Sequence, residues 1–146
     1  MHFNVLTILG LASIISASAI PETSSAGSSL EILSKRDSYS CKGNPLCGST
    51  ANLRAWCDVT VNDRITRDDV VRYGAPGSGL PTGSCTGNVA GFGCGVFVEG
   101  GSGCKMSGNA IWYAYQDIRK VGGCAICGQK NFGNGCYLTI NRVSGC

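Results

Sequence analysis

Ten cysteines in a chain of 146 residues constrain what this sequence can fold into more than anything else in it. All ten lie between Cys41 and Cys146. Over residues 37–146 they make up about 9% of the chain, the density of a disulfide scaffold. An even count in an oxidising compartment implies five bridges and no spare thiol, each bridge stabilising by ~2–4 kcal/mol. Such staples matter here because the same stretch carries 20 glycines, the residue that loses most backbone entropy on folding.

The first 36 residues read as targeting and processing signals. A mostly apolar run extends from Val5 to Ile15. It is too short to span a bilayer, which needs ~20 residues. It ends in Ala17-Ser18-Ala19, an A-x-A cleavage pattern. Residues 1–19 are therefore expected to be a signal peptide. Residues 20–36 are Ser-rich, free of cysteine and close on Lys35-Arg36 before Asp37, as a propeptide with a dibasic processing site would. The mature chain is expected to be residues 37–146, secreted and extracellular.

Charge narrows the functional classes. The chain carries 12 Lys+Arg against 9 Asp+Glu, a net charge of +3, far less basic than a nucleic-acid binder. The single histidine, His2, falls in the signal peptide. The mature chain therefore has no Ser-His-Asp or Cys-His catalysis and no His-ligated metal site. No cofactor is expected, and no enzyme. The carboxylates Asp37, Asp58, Asp63, Asp68, Asp69, Glu99 and Asp117 show no pairing that would mark a glycosidase. Asp63–Asp69 interleaves with Arg64, Arg67 and Arg72 as a solvated, self-compensated face. Cys124-Ala125-Ile126-Cys127 has CxxC spacing, but in an oxidising compartment, without a second such motif, it reads as two structural half-cystines. Gly100–Gly103 lacks the Lys of a phosphate loop and reads as a turn. Trp112, Tyr113 and Tyr115 read as helix packing residues.

Hydrophobic periodicity predicts a helix from an N-cap at Ser107 to about Val121, with Ile111, Ala114, Tyr115, Ile118 and Val121 on one face and Trp112 beside that stripe. Arg119 and Lys120 suit its C-terminal dipole, and Gly122-Gly123 stops it. A second helix is expected within Thr50–Val61, with Leu53, Trp56 and Cys57 inward. Alternation predicts strands at Gly91–Glu99 and Gly135–Val143. Arg72–Ser84 reads as loop from its Gly and Pro, and Asp68–Tyr73 is open between strand and helical turn. These elements predict one α+β domain, a disulfide-rich α/β sandwich in which two helices pack on one face of an antiparallel sheet.

Read with their surroundings, the cysteines are similar to a known family. Cys41-Lys42-Gly43-Asn44-Pro45-Leu46-Cys47-Gly48, Gly103-Cys104-Lys105-Met106-Ser107-Gly108, Gly123-Cys124-Ala125-Ile126-Cys127-Gly128 and Leu138–Val143 with Cys146 stand in the order seen in the KP-four class of fungal killer toxins. Cys94, within Gly93–Phe97, resembles that family's mid-strand cysteine. The resemblance covers residues 41–146.

It implies the sandwich fold and bridges Cys41–Cys124 and Cys47–Cys127. Cys57, Cys85, Cys94, Cys104, Cys136 and Cys146 are left with 15 pairings that sequence does not rank. It implies a secreted toxin that inhibits growth of competing fungi by blocking calcium uptake, acting on a fungal cell-surface target such as a calcium channel. The alternative on the same scaffold is a host-interaction effector or allergen-like binding protein. Target-binding cations chosen by charge are Lys42, Lys105, Arg119, Lys120 and Lys130. Leu80–Cys85 carries no charge where the family has a functional lysine, and Ile111 and Trp112 stand near where it has a second helix cysteine. A monomer without stable membrane insertion is expected.

Overall fold

Two strands whose apolar residues alternate pair down the middle of the domain and define its two faces. The computed structural model describes residues 37–88 and 90–146; the expected signal peptide and propeptide lie outside the described residues. In chain order the elements are β1 (Ser38–Ser40), α1 (Leu53–Val59), a π-helical turn (Thr60–Arg64), β2 (Val71–Gly74), β3 (Gly83–Gly87) and β4 (Phe92–Gly100). β5 (Lys105–Ser107), α2 (Gly108–Lys120), β6 (Gly128–Asn131) and β7 (Cys136–Ser144) complete them. Five strands form one antiparallel sheet in the order β1-β6-β7-β4-β3, and β2 and β5 form a separate antiparallel ribbon.

Register sets the buried face. Val96 lies opposite Ile140 and Val98 opposite Leu138, and all four are fully buried. Against them pack Leu53 and Cys57 of α1 and Ile111, Tyr115 and Ile118 of α2. This is the expected α+β sandwich, in which the period-2 and period-3.6 stripes meet. α2 starts as its sequence dictates: the Ser107 hydroxyl accepts from the Ala110 N–H at 3.1 Å, which satisfies a donor the first turn leaves open. Gly108 has to be glycine: a Cβ there would collide with the Thr66 carbonyl. α1 gives way at its β-branched end. There buried Thr60 donates to the Trp56 carbonyl at 2.8 Å or the Cys94 carbonyl at 3.0 Å, and the helix widens into the π turn.

Five strands escaped the periodicity reading. β1, β2, β3, β5 and β6 are three to five residues long, too short to display alternation. The expected Arg72–Ser84 loop holds the end of β2 and the start of β3, and Asp68–Tyr73 resolves into a bend entering β2. β3 is Gly-Ser-Cys-Thr-Gly, a poor strand former, held by pairing with β4 and by Cys85–Cys146.

Five bridges tie these pieces. Cys41–Cys124 and Cys47–Cys127, the pairs implied by the resemblance, fasten the N-terminal loop to the turn after α2. Cys57–Cys94 joins α1 to β4, and Cys104–Cys136 joins the ribbon to β7. No cysteine is free among the described residues. Cys57 is therefore bonded to the sheet, and Ile111 is a fully buried core residue.

Candidate functional site

The CxxC loop is held from below by the helices. Tyr115, 1% exposed, donates to Asp58 Oδ1 at 2.6 Å, linking α2 to α1. Arg119 donates to the Tyr115 hydroxyl at 3.0 Å, to the Cys124 carbonyl at 3.1 Å and to the Ile126 carbonyl. Burial and the bond to Asp58 push the Tyr115 phenol from 10.0 up to about 12, with Arg119 pulling the other way. Cys124 and Cys127 each reach a different partner, so their spacing is a structural device here.

Arg119 and Lys130 were expected as exposed cations and are instead bound inside the fold. Lys130 is 7% exposed on β6, with Asp117 Oδ2 at 2.6 Å and Asp37 Oδ2 at 2.8 Å. Burial pulls its pKa down, but its two carboxylate partners outweigh that and the net shift is upward. The sequence signal was absent because Gly128, Lys130 and Ile140 share a face only once β6 pairs with β7. Lys42, Lys105 and Lys120 are exposed but stand on separate elements: the loop before α1, β5 and the end of α2.

Of the charges expected to compensate one another along Asp63–Arg72, one ion pair forms among the described residues. Arg72 pairs with Asp68 at 2.7 Å, Asn109 Nδ2 donates to Asp69 at 2.9 Å, and the Arg67 guanidinium lies 4.3 Å from the Trp112 ring centroid. Trp112 donates its ring N–H to Asn62 at 3.2 Å. These contacts brace the β2–β5 ribbon against the first turn of α2. With Glu99 accepting from Thr139 at 2.7 Å, six of the seven carboxylates of residues 37–146 accept from a side-chain donor, Asp37 and Asp117 sharing Lys130. Among the described residues no group of three or more His, Cys, Asp or Glu is placed to hold a metal.

Beside the ribbon lies a groove of about 310 Å³, within the usual size range of ligand pockets. Val71, Met106, Ala110 and Phe132 line it with apolar surface, and Asp69 and Lys105 bring one charge of each sign. Val71 is 52% exposed and Tyr113 is 64% exposed. Tyr113 stands one turn along α2 from Ala110, on a neighbouring part of the same face, so apolar surface continues beyond the groove. The walls come from three separate stretches of sequence, which is why no run of sequence marked them. Lys105 is the one expected cation that belongs to this site.

A family described as a meiotically up-regulated gene family matches residues 39–146. No curated protein and no solved structure matches the chain. The family match corrects the killer-toxin resemblance, and with it the expectations of antifungal calcium-channel block and of a host-directed effector. The resemblance rested on cysteine order, and cysteine order reports which segments of a small fold must be stapled. It carries no information about the surface that acts.

Proposed function

Starting from a chain that belongs to the meiotically up-regulated gene family, whose description names a time of expression and no chemistry, we propose a secreted, non-catalytic recognition domain. It binds an extended peptide segment in the groove between the β2–β5 ribbon and Phe132. The observation that carries this reading is the groove itself, four apolar side chains bracketed by Asp69 and Lys105. That pattern suits spaced apolar side chains with a charged neighbour. Each ribbon strand pairs on one edge only, so backbone donors and acceptors remain for an added strand.

Two further features support it. Five intact bridges suit a life outside the cytosol, in keeping with the A-x-A and dibasic signals. The carboxylates are engaged by Arg, Lys, Tyr, Thr and Asn donors, an arrangement that stabilises a scaffold and leaves few groups to do acid/base work. Selection from a random heptapeptide display library tests the reading. The expected result is a consensus of spaced apolar residues beside an acidic one, captured by the wild type and lost with Met106→Glu. Equal capture by both proteins, or no consensus, overturns it.

A further inference from the structure

The CxxC loop carries two bridges at once: Cys124 is joined to Cys41 and Cys127 to Cys47. The two bridges pack side by side. A Cβ at Gly128, the residue after Cys127, would lie 2.9 Å from Cys124 Sγ. One at Gly43 would lie 2.8 Å from Cys127 Cβ and 3.4 Å from Cys47 Sγ. Cys41, Cys47 and Cys127 line one cleft of about 230 Å³ together with Gly48, Ala125 and Ile126. Cys41 is exposed, whereas Cys47, Cys124 and Cys127 are 8%, 2% and 4% exposed.

A thiol arriving from solvent therefore meets Cys41 first, and the sulfur it expels is that of Cys124. Exchange is faster when the leaving thiolate lies beside a cation. Arg119 supplies that cation: its guanidinium donates to the Cys124 and Ile126 carbonyls, and its Nε is buried without a partner among the described residues. The same two bonds keep the loop in place once Cys41 has gone. A C-x-x-C bridge needs Cα atoms ~4.4–6.8 Å apart, and the chain bends through Ala125–Cys127, drawing the two cysteines together. One other bridge has an exposed half-cystine, Cys85–Cys146. Cys85 lies opposite Gly95 and Cys94 opposite Thr86, so Cys85 and Cys94 project from opposite faces of the sheet. The sheet thus separates Cys85 from the Cys57–Cys94 bridge.

We propose that Cys41–Cys124 is a redox-active bridge with the CxxC motif as its resolving pair. An external dithiol attacks Cys41, and Cys124 closes onto Cys127 and frees the loop of residues 41–50. In the first step a thiolate of the dithiol bonds to Cys41 Sγ and the Cys41–Cys124 bond breaks. The Cys124 thiolate then attacks Cys127 Sγ, and Cys47 leaves as a thiolate and takes up a proton. The second thiol of the dithiol displaces Cys41 from the mixed disulfide. The dithiol is oxidised to its disulfide, two protein bridges become one, and the two protons end on Cys41 and Cys47. Both covalent ties between the loop and the turn after α2 are then lost. Hydrogen bonds such as Asn44 N–H to Asn141 Oδ1 at 2.8 Å and Arg142 Nε to Thr50 Oγ1 at 3.1 Å are what remain.

Limited reduction of the folded chain with dithiothreitol, followed by alkylation and peptide mapping, tests this. At ~0.1 mM dithiol, an effective concentration of ~1 mM for the neighbouring bridge favours internal closure about tenfold over a second external attack. Label is expected in equal amounts at Cys41 and Cys47, about tenfold above that at Cys124, with Cys124 joined to Cys127. Glutathione, a monothiol, should remain attached to Cys41 and leave Cys47 as the labelled thiol. In Cys47→Ser with Cys127→Ser the relay has no acceptor, and label should move to Cys41 and Cys124. The wild-type map decides alone where that variant does not fold. Hydrogen exchange at residues 44–50 should rise about tenfold in the reduced wild type, while β4 and β7 keep their protection. Label shared between Cys41 and Cys124 in the wild type, or first opening at Cys85–Cys146, overturns the proposal. Unchanged exchange at residues 44–50 overturns it as well.

Discussion

Removing one hydroxyl, Tyr115→Phe, tests whether the two helices and the CxxC loop are joined through a single buried phenol. In the folded chain that hydroxyl gives a 2.6 Å hydrogen bond to Asp58 and accepts a 3.0 Å bond from Arg119. Hydrogen bonds to charged groups contribute ~1.5–3 kcal/mol each, but Asp58 is half-exposed and can regain water when the phenol goes. The expected cost at pH 7 is about 2–3 kcal/mol. The pH dependence is sharper. Folding raises the phenol from 10.0 to about 12, so the folded chain holds this proton more tightly than the unfolded one. Its contribution is whole below pH 10 and drains away as pH rises through 12. Linkage over that shift of about two units has an upper limit of ~2.7 kcal/mol, of which about 1.4 kcal/mol is gone at pH 11. Guanidinium unfolding with the disulfides intact, at pH 8 and pH 11, measures it. The gap between wild type and Tyr115→Phe should narrow by about 1.4 kcal/mol between those pH values. The phenolate absorbance difference between the two proteins should show a midpoint near 12. A gap that is constant with pH, or a midpoint near 10, would refute the argument that burial and Asp58 govern this group.

Three other outcomes are expected. Gly108→Ala, which at an ordinary exposed helix-interior position stabilises by ~1 kcal/mol, should here cost ~1–3 kcal/mol in urea unfolding, because the new Cβ meets the Thr66 carbonyl. Cys57→Ala with Cys94→Ala removes a bridge closing a sequence separation of 37 inside the core. Its loss should lower stability by ~4 kcal/mol, while the other eight cysteines stay unreactive to alkylation before reduction. Lys130→Met should cost only ~1–2 kcal/mol in the same unfolding assay, because no buried charge is left stranded. The side chains of Asp117 and Asp37 are 39% and 42% exposed and return to water.

Local patterning made the long elements legible. A 3.6-residue stripe from Ile111 to Ile118, an N-cap serine and a following Gly-Gly specify α2 without help from the rest of the chain. Alternation specifies β4 and β7, and cysteine density with an even count specifies a fully bridged scaffold, because each of these signals lies within a few residues of its cause. What depends on partners distant in sequence was decided only by the tertiary structure. Three of the five pairings, the existence of β1, β3 and β6, and the burial of Lys130 all follow from strands meeting across the sheet. The groove is the extreme case. Val71, Met106, Ala110 and Phe132 carry no shared pattern, and they become one apolar surface only because the ribbon, the first turn of α2 and the β6–β7 turn are packed side by side and pinned by Cys104–Cys136.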